Sequence, residues 1–246
     1  MLYIIGLGLG DEKDITIKGL EAVKKCTHIY LENYTSMLNC SVKNLEKLYG
    51  KRITLAPRTS VEEEDEILNN AKKADVALLV IGDALSATTH ISIIIKAKHQ
   101  NIKVKIIHNA SIFTAVAITG LQLYRFGKTT SIPFPEKSFA PETAYDVLKN
   151  NEKNNLHTLF LLDIKPDKLM SCDEAKEILL NIENNREEKA ISKETKCFCC
   201  AALGTDEQEV TYCALGEKSN LAKFPQCLII PSELHFSEQE FIDEFF

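Results

Sequence analysis

Short apolar runs alternate with polar or glycine-containing loops along most of the chain, and the runs read as strands. Leu-Tyr-Ile-Ile at 2–5 ends in the glycine loop Gly6-Leu7-Gly8-Leu9-Gly10-Asp11, the pattern of a parallel strand covered on both faces. Asp14 or Thr16 then caps a helix in which Ile17, Leu20, Ala22 and Val23 keep helical spacing. Thr27–Leu31 follows as a second strand, which completes a βαβ unit whose right-handed crossover makes the sheet parallel. A further helix is predicted over Val61–Ala74, opened by Ser60 and a Glu-rich first turn. Val76–Ile81 is the clearest strand and ends in Gly82-Asp83; a helix through His99 and a strand over Lys103–Ile107 come next. Ligands of open α/β sheets bind at carboxyl ends of strands, so the loops at 6–11, 82–90 and 108–112 are where function is expected.

Beyond this point the pattern changes. Leu159–Leu162 reads as a strand ending in Asp163-Ile164-Lys165, and a helix is predicted over Asp173–Asn184. Cys197–Leu203 and Val210–Ala214 read as a hairpin joined by Gly-Thr-Asp-Glu-Gln-Glu, with a last strand over Cys227–Ile230. Hairpins after βαβ units predict a mixed sheet. The fold class is therefore α/β in two domains, a parallel one over 1–110 with the glycine loop and a mixed one over 111–246.

Composition changes this picture little. The chain has 246 residues, 45% hydrophobic and 26% charged, which is globular, and the length leaves one or two domains open. No apolar run approaches the roughly 20 residues of a membrane span. Residues 2–10 are read as a strand rather than a signal peptide, because no basic region precedes them and Gly-Asp follows. A net charge of −6, with only Arg52, Arg58, Arg125 and Arg186 able to fork onto phosphate, argues against a nucleic-acid binder. The eight cysteines read as reduced thiols of a cytoplasmic protein. Three of them form Cys197-x-Cys199-Cys200, poor zinc spacing, so buried strand thiols are expected and no metal.

Each loop admits two readings. The glycine loop is either a ligand loop or a tight turn: its spacing is G-x-G-x-G, not the dinucleotide fingerprint, and Glu32 is the one acidic residue near the end of the second strand. Asp83 either meets a ligand or caps a helix. His90, in Ala87-Thr88-Thr89-His90, is more often a satisfied structural group than a base. Ser111 is placed to cap a helix running through Ala115 to Gly120.

Taken in order, these segments resemble the diphthine synthase family. The carriers are the opening Leu-Tyr-Ile-Ile-Gly-Leu-Gly-Leu-Gly-Asp, Gly82-Asp83 with Ala87-Thr-Thr-His90, and Val104-Lys-Ile-Ile-His-Asn-Ala-Ser-Ile112. Gly120-Leu-Gln-Leu-Tyr-Arg-Phe-Gly127, Ser131-Ile-Pro-Phe134 and Leu156–Lys165 continue the match. The resemblance implies a tetrapyrrole-methylase-like, S-adenosylmethionine-dependent methyltransferase of two α/β domains, homodimeric, with the cofactor in the cleft between domains. It implies methylation of the 3-amino-3-carboxypropyl-histidine of elongation factor 2 in diphthamide biosynthesis, leaving S-adenosylhomocysteine. Its cofactor contacts carry over onto Leu9, Asp83, Ser86, Ser111, Ile112, Leu162, Leu203 and His235. No catalytic residue carries over; His90 and Asp163 are the candidates for a base.

Two departures stand out. Ala84 replaces the family's proline after Gly-Asp, which loosens that loop, and the segment after Lys165 is shorter than in familiar members. Stretches at 178–186 and 194–197 look more like eukaryotic members, which implies methylation of the carboxylate as well as the amine. The tail is expected to dock as a helix opened by Ser237 and Glu240. Rival readings are a methylase of the same fold acting on a tetrapyrrole or ribosomal RNA, and a non-catalytic S-adenosylmethionine-binding regulator of translation.

Overall fold

A computed structural model describes residues 1–136, 141–165 and 167–246. Pro166, where the shortened segment after Lys165 begins, lies outside the described residues. The chain divides into two compact units, Met1–Ala115 with Gly204–Asp206, and Val116–Leu203 with Glu207–Phe246. No helix among the described residues is long and apolar enough to cross a membrane.

The first unit runs β1 (Leu2–Gly6), α1 (Ile17–Lys25), β2 (His28–Glu32), α2 (Val42–Tyr49), β3 (Thr54–Ala56), α3 (Arg58–Glu62), α4 (Glu66–Lys73), β4 (Val76–Val80), α5 (Ile91–His99), β5 (Val104–Ile107) and α6 (Ile112–Ala115). The five strands form one parallel sheet in the order β3-β2-β4-β1-β5. Its two faces follow the alternation of side chains along a strand. Leu2, Ile4, Val76, Leu78 and Val80 pack under Ile67, Leu68, Ile93 and Ala97 of α4 and α5. Ile5, Leu7, Ala77 and Leu79 pack on the opposite face with Ala22, Val23, Leu45 and Tyr49 of α1 and α2. Thr16, not Asp14, caps α1, accepting from the Gly19 N–H at 3.0 Å.

Three expectations for this unit are corrected. The helix predicted over Val61–Ala74 is two helices, because five consecutive acidic residues, Glu62–Glu66, repel one another along one continuous helix. Ser60 consequently lies inside α3, whose N-cap is Pro57. The helix expected after Ser111 shrinks to the four residues of α6 and a 3₁₀ turn over Val116–Thr119.

The second unit runs β6 (Thr130–Ile132), α7 (Thr143–Glu152), β7 (Thr158–Leu162), the two-residue strands β8 (Ile164–Lys165) and β9 (Lys168–Leu169), α8 (Cys172–Arg186), β10 (Lys196–Ala201), β11 (Glu209–Ala214), β12 (Gln226–Ile230) and α9 (Phe236–Phe245). Its main sheet has the order β11-β10-β12-β7-β6 and is mixed: β6 pairs with β7 in parallel, while the pairs β7–β12, β12–β10 and β10–β11 are antiparallel. Tyr145 and Leu148 of α7 and Ala175, Leu179 and Ile182 of α8 bury one face of that sheet. On strand β10 the alternate residue Phe198 points elsewhere and meets Tyr212 at 4.6 Å and Phe246 at 5.3 Å between ring centroids. Helix α8 opens on a reciprocal capping box of Ser171 and Glu174.

The tail helix α9 is present, but its cap is His235 with Glu238 rather than Ser237 with Glu240. The reason is a buried charge. Glu238 is fully buried and takes hydrogen bonds from the Gln122 N–H at 2.8 Å, the His235 N–H at 2.7 Å, Arg125 at 2.5 Å and His157 at 3.1 Å. His157, also fully buried, accepts the Ser232 N–H on Nδ1 at 3.0 Å, so Nε2 carries its proton toward Glu238. Burial lowers the His157 pKa and outweighs its carboxylate partner. Burial alone would raise Glu238, yet the Gln122 and His235 N–H groups and His157 hold it below the usual carboxylate range.

Both shifts make stability fall on acidification. The His157 contribution is complete above about pH 6.5 and is lost as pH drops through its lower folded value; the Glu238 contribution is lost below about pH 4.3. Urea titrations across pH are expected to show both limbs. Glu238→Gln is expected to cost about 3 kcal/mol at pH 7 and to erase the lower limb.

Candidate functional site at the carboxyl edge of the parallel sheet

Parallel strands deliver all their carboxyl ends to one edge, and three loops meet there after β1, β4 and β5. The first two are tied by reciprocal main-chain bonds, Gly8 N–H to Gly82 O at 3.1 Å and Gly82 N–H to Gly8 O at 2.8 Å. Gly8 and Gly82 sit at φ +85° and +80°, where side chains are strained. A Cβ on Gly6 would stand 2.6 Å from the Gly82 carbonyl, so glycine is required for the loops to close this tightly.

Asp83 fastens the second loop to the third. Its Oδ1 accepts from the Leu85 N–H at 3.0 Å and the Ser86 hydroxyl at 3.1 Å; its Oδ2 accepts from the Asn109 N–H at 3.0 Å and pairs with His108 Nδ1 at 2.8 Å. Burial pushes this carboxyl up, but those donors outweigh it and hold it below the usual carboxylate range. Asn109 in turn donates to Gly6 O at 3.0 Å and Asp14 O at 2.9 Å, closing the third loop on the first. Asp14 accepts the Leu9 and Gly10 N–H groups at 3.2 and 2.7 Å, so the nose of the glycine loop is held by a side chain four residues on. Ala84 is fully buried against α5 and its neighbours, and Asp83 supplies the fixing of Leu85 and Ser86.

The edge therefore brings Leu9, Asp83, Ser86, Ser111 and Ile112 onto three mutually fastened loops. Ser111 is buried, and its carbonyl takes the Thr114 and Ala115 N–H groups at 3.0 and 2.9 Å. Of the residues placed in the second half, Leu162 ends β7 and Leu203 follows β10 at the same edge of the mixed sheet, flanking the start of β12. His235 follows the other end of β12, and its imidazole bonds Ser237 at 2.8 Å as the cap of α9. Gly204, at φ +86°, packs against Leu9 within the first unit: a Cβ there would lie 2.9 Å from the Leu9 Cβ.

The candidate bases differ. Asp163 accepts the Phe134 N–H at 2.9 Å, a structural bond. His90 is 1% exposed and makes no side-chain hydrogen bond among the described residues, with the Ala84 main chain as a polar neighbour; burial outweighs that contact and lowers its pKa. Glu32 is fully buried and turned back onto Thr35, with burial raising its pKa, so it is not presented to a ligand.

The family model of Tetrapyrrole (Corrin/Porphyrin) Methylases matches residues 1–219. The chain belongs to this methylase family. It is 42% identical to the diphthine methyl ester synthase of Schizosaccharomyces pombe over 98% of this chain and 93% of that protein. It is 43% identical to the diphthine synthase of Methanococcus aeolicus over 98% of this chain and 96% of that protein. A solved diphthine synthase superposes with a TM-score of 0.92 at 36% identity, covering 99% of this chain and 95% of that one.

In this methylase, sequence reasoning missed Asp14 and Asn109 as the residues that hold the edge together. An Asn-rich or Asp-rich loop after a strand is their only trace in sequence, and it does not say which main-chain groups they take. Asp83→Ala is expected to cost about 2–3 kcal/mol in urea unfolding, because it strands the Leu85 and Asn109 N–H groups, whereas Asp83→Asn is expected to lose about half as much.

Proposed function

We propose that this methylase is an S-adenosylmethionine-dependent enzyme of diphthamide biosynthesis. Its substrate is the 3-amino-3-carboxypropyl-histidine of elongation factor 2; it methylates the amine and, as an ester-forming member, the carboxylate. The observation that carries the reading is full-length likeness to diphthine and diphthine methyl ester synthases, joined to an intact glycine-lined carboxyl edge. A cytoplasmic homodimer goes with it.

The glycine-lined edge supports this reading. Gly82 keeps open the space between the Leu9 side chain and the Ala110 carbonyl, 3.8 and 3.9 Å from where its Cβ would stand. Leu9, Asp83, Ser86, Ser111 and Ile112 are the proposed contacts. The Asp83 carboxylate is already taken up by four protein donors, so main chain and shape do the recognising there. Bound S-adenosylmethionine supplies an electrophilic methyl group on a sulfonium sulfur. The chain's own task is alignment and exclusion of water, since an in-line displacement gains most from a fixed approach. An amine acceptor must also shed a proton before each attack.

The test is methyl transfer to purified elongation factor 2 bearing the 3-amino-3-carboxypropyl group, read by intact-peptide mass. Four added methyl groups are expected, one of them lost on mild alkaline hydrolysis as an ester would be. Three alkali-stable methyl groups would remove the ester step, and no transfer by folded protein would overturn the reading.

A further inference from the structure

Strand periodicity puts Cys197 and Cys199 on one face of β10, and the antiparallel register places Cys213 of β11 opposite Cys197. All three belong to the core under α7 and α8. Their sulfur atoms lie within 4.8 Å of one another, the one such group of potential metal ligands among the described residues. The thiol of Cys172, in the first turn of α8, neighbours Cys199 but donates to the Cys227 carbonyl at 3.1 Å. Sequence spacing does not show this grouping, because the three sulfurs come from two strands rather than from one short motif.

Three features distinguish the group from ordinary core thiols. The first is convergence. A tetrahedral or trigonal metal with metal–sulfur bonds of about 2.3 Å needs its sulfurs about 3.8–4.0 Å apart, so closure requires less than about 1 Å of movement. The second is charge. The Lys176 ammonium, 2% exposed, stands 3.7 Å from Cys213 Sγ, where it offsets thiolate charge in a buried place. It is held there by the Glu217 carbonyl at 2.6 Å and Asp173 at 2.8 Å. The third is a neighbouring cavity. A cleft of about 380 Å³ lined by Asp173, Lys176, Leu215, Gly216 and Glu217 lies on the outer side of the same lysine. Among the described residues no carboxylate or imidazole joins the sulfurs, which selects a soft cation over magnesium or calcium.

We infer that Cys197, Cys199 and Cys213 form a buried three-sulfur binding site for a thiophilic d10 metal ion, Zn²⁺ or Cu⁺. Each coordinating thiol gives its proton to solvent as the ion enters. The ion clips β10 and β11 together.

The experiment loads the reduced full-length chain with Zn²⁺ in one arm and Cu⁺ in another, each against a competing chelator, then desalts and quantifies metal. Retention of one equivalent in either arm is expected, and the arm that retains it names the ion. Cys199→Ala and Cys213→Ala, checked for folding by circular dichroism, are expected to bind about tenfold more weakly or worse. A Cys26→Ala/Cys40→Ala double variant, altered only in the first unit, is expected to bind as the parent does. Cobalt(II) needs no variant: a strong sulfur-to-cobalt charge-transfer band from three thiolates is expected in the unaltered chain. Failure of the folded parent chain to retain either metal, a cobalt spectrum without thiolate bands, or loss of metal only in the first-unit variant would each overturn the inference.

Discussion

The Asp83 carboxylate takes four hydrogen bonds at the place where three loops leave one sheet edge, and the candidate site depends on it. A parallel sheet delivers the carboxyl ends of β1, β4 and β5 together but leaves the main-chain groups beyond them without ladder partners. Asp83 satisfies Leu85 in its own loop and Asn109 in the next, and Asn109 passes the tie on to Gly6 and Asp14. Asp14 completes the circuit at Leu9 and Gly10. Each member is both held and holding, so the loops keep one arrangement although they carry no regular structure of their own. The glycines make this possible sterically: at Gly6 and Gly8 a single added methyl group would meet backbone or the Asp14 side chain at 2.6 Å.

The second unit solves a different problem with the same kind of device. Helix α9 comes from the end of the chain and must be tied down, and it contributes Glu238 to a place with no water. A buried carboxylate is costly unless every lone pair is used. Arg125, His157 and two main-chain N–H groups meet that demand, and in doing so they select which residue caps the helix. Glu183 does likewise at the other end of α8, where it gathers the Lys189, Ala190 and Ile191 N–H groups and the Tyr145 hydroxyl. In both cases one carboxylate fixes a segment that apolar packing alone leaves free to shift by a residue or two.

That distinction also decides what could be read from the sequence. Strands β1, β4, β7 and β12 were legible because they are central and buried on both faces, so that almost every residue had to be apolar. Edge strand β3 was not: it is three residues long, with Leu55 nearly half exposed, and pairing on one side leaves no pattern to see. Helix α7 was missed for want of a capping signal, since Glu142 makes no side-chain cap. The loop residues expected to meet a cofactor could be named from resemblance, and Leu9, Asp83, Ser86, Ser111 and Ile112 do share one edge. Their fastening could not be named, because Asp83 and Asn109 are 26 residues apart and Gly6 and Asn109 are 103 apart. A hydrogen bond between such partners leaves no periodicity, and it exists only once the parallel sheet has set β4, β1 and β5 side by side. The thiols of Cys197, Cys199 and Cys213 obey the same rule: spacing along the chain argued against a metal, whereas register across β10 and β11 brings the sulfurs together.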